Sequence, residues 1–317
     1  MKVAIVGATG ETGSSIVNGL LASTDTKFDI TALVRPTSLK KPEVLDLEKR
    51  GVKIAAADLC GPEDEITNQL IGIDVVISTI LASEVKYEIP LANAAKKAGV
   101  KRFVPCFFGP VMPARGMLWF RDHKEDTLNH IQTIYLPYTV IDVGWWYQIS
   151  LPRVPSGRLD SVAGVTGNRI AGDGSTVCGR TDLRDVGNYV ARIIADVRTL
   201  NQKVFAYTDL RTHNEVYDLV EKLSGEKIEK EYLSSEQIEA EIANKDNIDK
   251  LSVLQFQKSW DLRGDNTPEY ARYLGYQLAK DLYPDFKGVS FEEYCKEALE
   301  GRLKPLYERR RKATAAA

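Results

Sequence analysis

The sequence is poor in the residues that build metal centres and disulfide frameworks. Its 317 residues include three histidines and four cysteines, and the cysteines are scattered at positions 60, 106, 178 and 295. No Cys-x-x-Cys pair occurs, and no histidine lies at metal-ligand spacing from a second ligand. We therefore predict no metal site and expect reduced thiols in a cytoplasmic protein.

The sequence also lacks long apolar runs and a strong net charge. No stretch approaches the roughly 18 apolar residues of a membrane helix, and the formal net charge is −2. Neither nucleic-acid binding nor membrane binding is indicated. Because the first predicted strand begins at Lys2, we expect no cleavable leader. We expect a globular protein that binds a small-molecule substrate, as a monomer or a homodimer.

Apolar, often β-branched runs alternate with helical patterns through the N-terminal half. The predicted strands are 2–6, 28–34, 52–57, 74–79, 101–106 and 138–143, and the predicted helices are 12–22, 42–50, 63–70, 85–98 and 116–134. Such alternation with short connections predicts an α/β fold, a Rossmann-type doubly wound parallel sheet covered by helices on both faces.

Three glycines follow the first predicted strand and precede a helical pattern. Glycine lets the backbone turn sharply and approach a pyrophosphate, and the N–H groups at a helix N-terminus bind that anion. The spacing Gly-x-x-Gly-x-x-Gly at this place predicts a dinucleotide site. The candidate cofactor-binding residues of this loop are Gly7, Thr9, Gly10, Glu11, Thr12 and Gly13.

The second predicted strand ends in a cation, Arg35, where a site for an unphosphorylated ribose usually carries an acidic residue. A guanidinium suits a 2′-phosphate, and Lys40 follows closely, so we predict NADPH/NADP+ as the cofactor. Lys40 could equally be a solvated surface charge. The end of the fourth strand should pass under the nicotinamide half, which makes Thr79 and Ile80 candidates, although a core-strand role explains them almost as well.

The pattern changes after about residue 145. Pro and Gly residues in 151–174 predict loops and a small hairpin, 185–197 a helix, and 203–208 a strand that extends the main sheet. Capping signals at Ser234 and Ser290 predict two further helices. We assign an NADP-binding domain to 1–150, to which 180–210 returns, and a smaller α/β substrate lobe to 151–179 and 211–317. The basic run 309–312 is interpreted as a solvated, frayed end.

A lysine on an apolar helix face is the candidate catalytic group. Short-chain reductases commonly place a tyrosine four residues before a lysine, and here Phe120, which has no proton to give, precedes Lys124. Burial of an ammonium is costly, so we predict that Lys124 is a general acid or base that also lies at the cofactor. The alternative is a lysine that extends to water.

Helical spacing also predicts which neighbours of Lys124 are buried. The predicted apolar stripe holds Phe120, Lys124, Leu128, Ile131 and Tyr135, and the opposite side holds Asp122, Glu125, Asp126 and Asn129. His130 is predicted to be exposed, and His123 to lie at the surface or behind Lys124.

Several motifs occur in a fixed order along nearly the whole chain. They are Gly7-x-Thr9-Gly10-x-x-Gly13, Leu33-Val34-Arg35, residues 101–109, Lys124, residues 136–140, residues 198–201 and residues 281–285. In this order they resemble the isoflavone reductase-like branch of the NmrA-like atypical short-chain dehydrogenases/reductases, with phenylcoumaran benzylic ether and pinoresinol reductases. The resemblance implies an N-terminal NADPH domain, a smaller C-terminal substrate lobe, and a catalytic role for Lys124.

The chain departs from the plant pattern at two places. Residues 105–109 read Pro-Cys-Phe-Phe-Gly where plant members have Pro-Ser-Glu-Phe-Gly, and residues 144–147 read Gly-Trp-Trp-Tyr. The chain is therefore more similar to fungal members, whose substrates are often polyketides or other secondary metabolites. Phe108, Trp145 and Trp146 follow predicted strand ends and are candidate substrate contacts, with core packing as the alternative.

Together these features predict an NADPH-dependent reductase that transfers hydride to a small aromatic or polyketide-like secondary metabolite. Two alternatives stay open. One is an NmrA-like regulator that binds the dinucleotide as a redox sensor without turnover. The other is a non-redox isomerase or cyclase on the same fold.

Overall fold

The computed structural model describes residues 1–244 and 248–307. The predicted frayed end at 309–312 lies outside the described residues. The strands are β1 (Lys2–Val6), β2 (Asp29–Val34), β3 (Lys53–Ala56), β4 (Val75–Ser78), β5 (Arg102–Val104), β6 (Thr139–Asp142), β7 (Trp145–Trp146), β8 (Arg169–Ala171), β9 (Cys178–Thr181), β10 (Gln202–Phe205), β11 (Asp209–Arg211), β12 (Glu231–Leu233) and β13 (Tyr276–Leu278).

The helices connect these strands and follow them. They are α1 (Glu11–Ala22), α2 (Pro42–Lys49), α3 (Glu63–Leu70), α4 (Glu88–Lys97), α5 (Trp119–Thr133), α6 (Leu183–Ala195), α7 (His213–Ser224), α8 (Ser235–Ala243), α9 (Ile248–Phe256), α10 (Pro268–Tyr273), α11 (Ala279–Leu282) and α12 (Phe291–Leu299). A π-helix, Gln257–Leu262, follows α9 directly.

The described chain forms two compact units. The first comprises Met1–Phe108, Trp119–Asp142 and Arg184–Val204, and the second comprises Gly109–Leu118, Val143–Leu183 and the chain from Phe205 onward. The first unit contains a five-stranded sheet of order β3-β2-β1-β4-β5 with parallel pairing throughout. This confirms the predicted Rossmann-type sheet, whose order reverses between β1 and β4, where such folds bind ligands.

The last strands of the first unit, β6 and β10, lie beyond the edge of the five-stranded sheet. β10 lies beside β6 in a separate sheet, and one bridge, between Phe103 and Tyr138, joins β6 to the edge strand β5. The strand predicted at 203–208 forms as β10, and it continues from β6 beyond the edge of the five-stranded sheet instead of pairing with one of its five strands. The strand itself was found from its apolar residues, but its neighbour depends on pairing over a long sequence separation.

Two glycines bring α1 and α6 into backbone contact within the first unit. A Cβ built on Gly19 would lie 2.1 Å from the carbonyl carbon of Gly187, and one on Gly187 would lie 1.9 Å from the Ser15 oxygen. The N–H of Gly187 donates to the Ser15 hydroxyl at 3.0 Å. Because α1 begins at the glycine loop, this contact fixes the helix whose N-terminus faces the candidate site.

The second unit is built from short strands and helices. In it β7 pairs in parallel with β9, β9 pairs antiparallel with β11, and β8 pairs in parallel with β12. The predicted hairpin in 151–174 was wrong, because the partner of β8 lies about sixty residues further along the chain. Capping boxes at Ser234 and Ser290 confirm the two predicted helix starts.

Candidate functional site

The loop after β1 turns at Gly7 and leads directly into α1. Gly7 has a φ of +80°, a conformation that side-chain-bearing residues rarely adopt. The N–H of Gly10 donates to the Gly7 carbonyl at 2.9 Å, and Gly10 is the N-cap of α1. The N–H groups of the first helical turn have no carbonyl partner within the helix, so this end of α1 is suited to an anion.

The glycines allow a close backbone approach that no other residue would permit. A Cβ on Gly13 would lie 2.2 Å from the Gly7 oxygen, and one on Gly7 would lie 2.6 Å from the Thr79 carbonyl oxygen. The Thr79 hydroxyl donates to the Val6 carbonyl at 2.8 Å. The loop therefore rests on the end of β4, at the point where the strand order reverses.

The other predicted residues of this loop surround the same helix end. Gly10 is exposed, and Thr9, Glu11 and Thr12 are half-buried. Ile80, also half-buried, follows Thr79 and accepts a hydrogen bond from the Cys106 thiol at 3.1 Å. The structure thus brings the predicted residues after β1 and β4 to one edge of the sheet.

Two exposed cations follow β2 at this edge. Arg35 and Lys40 are both exposed, and neither side chain has an ion pair or hydrogen bond among residues 1–244 and 248–307. A guanidinium and an ammonium without protein partners can each take a phosphate oxygen. Their placement fits the phosphate role predicted for them.

Lys124 is buried and its ammonium is turned toward the segment after β5. The residue is 8% exposed, and its Nζ donates to the Phe107 carbonyl at 2.8 Å. The ammonium also lies 5.5 Å from the centre of the Phe120 ring, a cation–π contact. The alternative of a lysine extended to water does not describe this side chain.

Arg121, one helical turn before Lys124, forms a buried ionic network that the sequence did not reveal. Its Nη1 donates to both oxygens of Asp142 at 3.1 Å, and its Nε donates to Glu125 at 3.0 Å. The guanidinium also lies 4.5 Å from the centre of the Phe107 ring. A signal was present, because the carboxyl of Asp142 lies in a strand whose preceding residues, Val140 and Ile141, are apolar.

The predicted helix face is correct in its middle and wrong at two positions. Leu128 and Ile131 are buried beside Lys124, as the spacing predicted. Glu125 is buried instead of exposed, because it pairs with Arg121. Tyr135 is 85% exposed, because α5 ends at Thr133 and the stripe no longer applies.

The two histidines of α5 occupy different environments. His123 is exposed, in line with the surface position allowed for it. His130 is half-buried, and its Nε2 lies 2.7 Å from the Asn93 side-chain oxygen. The prediction that His130 is exposed was therefore only partly right, because the neighbouring helix α4 covers it.

Phe108 has a strained backbone. It is buried, its φ is +37°, and its N–H donates to the Ile141 carbonyl at 2.9 Å. A bulky aromatic residue at positive φ costs energy and persists where the surroundings fix it, often at functional sites. Its aromatic ring follows the carboxyl end of β5 by four residues, on the same segment that Lys124 binds.

The two tryptophans of the second unit differ in their surroundings. Trp145 is 3% exposed and packs against Trp260 and Phe256 at centroid distances of 5.0 Å. It therefore lies in the core of that unit. Trp146 is half-buried, and its indole N–H is buried with no hydrogen-bond partner within the described part of the chain. The substrate contact expected of Trp146 stays a prediction.

The second unit also buries a group of charged side chains. Arg180 is fully buried, and His213 Nδ1 lies 3.4 Å from Asp261 Oδ1. Burial raises the pKa of Asp261 well above its usual value, although the Arg180 charge opposes this. Burial, with the Arg180 charge, holds the pKa of His213 well below its usual value.

The described residues contain neither a membrane-spanning helix nor a cluster of metal-ligating side chains. No described helix is long and apolar enough to cross a membrane. Within residues 1–244 and 248–307, no group of three or more His, Cys, Asp or Glu side chains could hold a metal ion.

Known proteins resemble this chain over almost its whole length. A sequence model of the NmrA-like family matches residues 1–295. Asnovolin J 5′,6′-dehydrogenase nvfM of Aspergillus novofumigatus is 48% identical, over 95% of this chain and 96% of that protein. An isoflavone reductase-like protein of Olea europaea is 29% identical, over 92% of this chain and 97% of that protein.

Solved structures show the same fold. Leucoanthocyanidin reductase of Vitis vinifera, in binary complex with NADPH, has a TM-score of 0.80 at 22% identity, covering 95% of this chain and 100% of that one. AtPrR2 with NADP+ and (+)pinoresinol has a TM-score of 0.77 at 25% identity, covering 93% and 97%. The predicted fold and the resemblance to isoflavone reductase-like proteins are confirmed, and the relative at 48% identity is fungal.

Proposed function

This chain belongs to the NmrA-like family and is an NADPH-dependent oxidoreductase, and we propose that it exchanges hydride between NADP(H) and a carbon atom of a secondary metabolite. In this proposal Lys124 is the general acid or base. The observation that carries it is the buried ammonium of Lys124, which is bonded to the segment directly after β5 at the ligand-binding edge of the sheet.

The loop after β1 fits the dinucleotide. At Gly13 there is no room for a side chain, and the close turn that results brings the loop onto the N-terminus of α1, the helix end that favours a pyrophosphate. Gly7, Gly10 and Gly13 would hold the pyrophosphate, and Arg35 and Lys40 the 2′-phosphate. Bound NADP(H) supplies or accepts the hydride.

Lys124 has the donors that proton transfer requires. An ammonium has three N–H groups, and the Phe107 carbonyl occupies one of them. The others can reach a substrate atom or a water molecule. When a C=C bond is reduced, one carbon takes the hydride and Lys124 gives the proton to its neighbour. In the opposite direction the hydride leaves one carbon for NADP+, the neutral amine of Lys124 takes the proton from its neighbour, and the double bond forms.

The relative at 48% identity favours a bond between two adjacent carbons. Its name describes a dehydrogenase acting at the 5′ and 6′ positions of asnovolin J. Dehydrogenation across two adjacent carbons and reduction of the resulting double bond are the same reaction in opposite directions. We therefore propose an asnovolin-like compound as substrate, ahead of the pinoresinol seen in the structure at 25% identity.

The test is turnover by the purified protein and its Lys124→Met variant. Wild type is assayed at 340 nm with NADP+ and asnovolin J, and with NADPH and pinoresinol, aromatic ketones or enones, with products identified by mass spectrometry. Loss of a general acid or base typically costs about 10²- to 10⁴-fold in kcat, and we expect Lys124→Met to fall in that range. His123→Gln, an exposed neighbour on α5, is the matched control and should keep wild-type turnover.

Two outcomes would contradict the proposal. If Lys124→Met kept the wild-type kcat, Lys124 would not be the acid or base. If the protein bound NADPH, measured by fluorescence titration, but consumed none of the compounds, the redox-sensor alternative would replace catalysis.

A further inference from the structure

Glu88, the first residue of α4, is a buried carboxyl that the reaction outlined above does not use. It is 0% exposed, and its Oε1 accepts a hydrogen bond from the Cys106 N–H at 2.7 Å. A buried carboxylate costs free energy unless hydrogen bonds or an opposite charge compensate for it. Its second oxygen, Oε2, has no hydrogen-bond partner in the described structure. The compensation is therefore incomplete.

Glu88 and Lys124 hold the same short segment. Glu88 binds the N–H of Cys106, and Lys124 binds the carbonyl of the next residue, Phe107. Between these two contacts the Phe107 N–H donates to the Pro105 carbonyl at 2.8 Å, which closes a three-residue turn. A carboxyl and an ammonium thus fix consecutive residues from α4 and α5.

Burial favours the protonated form of Glu88, and three neighbouring groups favour its carboxylate form. Burial raises the pKa of Glu88 to about 7, opposed by the Ser78 hydroxyl on β4, the Cys106 N–H after β5 and the Lys124 charge on α5. Burial also raises the pKa of the Cys106 thiol to about 12, so this thiol stays neutral.

Arg121 is the other charged group on this segment. It packs on the Phe107 ring and is compensated by Asp142 and Glu125. Glu88 is therefore the group around Lys124 that we expect to change its charge near neutral pH.

We propose that Glu88 is a positioning residue for Lys124. Its carboxylate accepts the Cys106 N–H and so fixes the Cys106–Phe107 segment, and its negative charge attracts the Lys124 ammonium that donates to the Phe107 carbonyl. This inference rests on the proposed role of Lys124 and adds the group that directs its ammonium. When Glu88 is protonated, the hydrogen bond to Cys106 can persist, but the charge that holds Lys124 is lost.

The test is the pH dependence of kcat/KM for the NADPH-dependent reduction, in which Lys124 gives a proton, measured for wild type and Glu88→Gln. The glutamine amide oxygen can still accept the Cys106 N–H, so the variant removes the charge and keeps the contact. We expect wild-type kcat/KM to fall about tenfold from pH 8 to pH 6, since one ionisation governs it. We expect Glu88→Gln to lack this step. Its kcat/KM should be the same from pH 6 to pH 8, close to the low value that wild type has at pH 6.

Glu125→Gln is the matched control. It removes a buried carboxylate from the helix of Lys124 without touching Glu88, so it should keep the step near pH 7. The inference is overturned if wild type shows no ionisation between pH 6 and 8, or if Glu88→Gln and Glu125→Gln have the same profile. If Lys124→Met is inactive while Glu88→Gln keeps the wild-type profile, the inference fails and the proposed function stands.

A second readout does not need turnover. Since the pKa of Glu88 is raised in the folded state, its contribution to stability is present below its unfolded value and is lost as pH rises toward 7. We expect the melting temperature of wild type to fall relative to Glu88→Gln between pH 5 and pH 8. Equal shifts in both proteins would show that Glu88 does not ionise in this range and would overturn the inference.

Discussion

In the first unit the buried guanidinium of Arg121 is hydrogen-bonded by two carboxylates, Asp142 and Glu125. In the second unit the buried guanidinium of Arg180 donates to the Ser150 hydroxyl at 2.9 Å, and its Nε and Nη2 have no hydrogen-bond partner among the described residues. Both arginines are nearly or fully removed from solvent. The first network is compensated by direct hydrogen bonds, and the second only in part.

In the second network the incomplete compensation is accompanied by shifted pKa values of Asp261 and His213. Asp261 Oδ2 has no hydrogen-bond partner within the described residues, and burial raises the pKa of Asp261 well above its usual value. Burial lowers the pKa of His213, its neighbour. Where hydrogen bonds do not replace the lost hydration, as at Asp261, burial shifts the pKa of the group and makes stability depend on pH. Two members of the first network, Arg121 and Glu125, lie on α5, the helix that carries Lys124.

The largest expected difference between the two networks appears when one buried aspartate in each is replaced by asparagine. We expect Asp142→Asn to lower the free energy of unfolding by roughly 3 to 5 kcal/mol, because it leaves a buried guanidinium short of its partner. We expect Asp261→Asn to lower it by less, about 1 kcal/mol, since burial already disfavours the carboxylate form that the substitution removes. Urea denaturation of both variants measures the difference. Equal losses would contradict the distinction between the two networks.

A smaller effect should appear as a pH dependence of the second network. Because the pKa of His213 is lowered in the folded state, the unfolded chain takes up a proton more readily. Stability from this group is present above its unfolded pKa of about 6.5 and is lost as pH falls, by up to about 1.4 kcal/mol per pH unit. His213→Phe keeps an aromatic ring against Trp260 and should remove this loss.

The measurement for His213 is chemical denaturation between pH 7.5 and pH 5. His123→Gln removes an exposed histidine, and its free energy of unfolding should change with pH as that of wild type does. An unchanged pH dependence in His213→Phe would show that the second network is compensated as fully as the first.

Local sequence patterns predicted the first unit well. The strand 2–6 and the helix 63–70 match β1 and α3, because continuous apolar runs and helical periodicity are set by neighbouring residues. The glycine loop and Arg35 also lie where the spacing placed them, at the ends of β1 and β2. These features depend on residues close in sequence.

Interactions between distant residues were not predictable in the same way. The pairing of β8 with β12 was missed, since short strands carry no sign of a partner sixty residues away. Glu88, Arg121 and Glu125 are charged residues that a pattern places at the surface, and they are buried because their partners lie on other elements or one helical turn away. The surroundings of Lys124 therefore required the structure.

The most direct test of hydride transfer is to follow a labelled hydride. Wild type is incubated with NADPH carrying deuterium at the transferable C4 position and the 5′,6′-dehydro derivative of asnovolin J, or another compound from the panel that it reduces. We predict that the product gains one deuterium by mass spectrometry, bound to carbon and retained in ordinary water. The experiment is done twice, with the deuterium on each of the two C4 hydrogens of NADPH in turn. If neither labelled cofactor gives a product that contains deuterium, hydride transfer by this protein is contradicted.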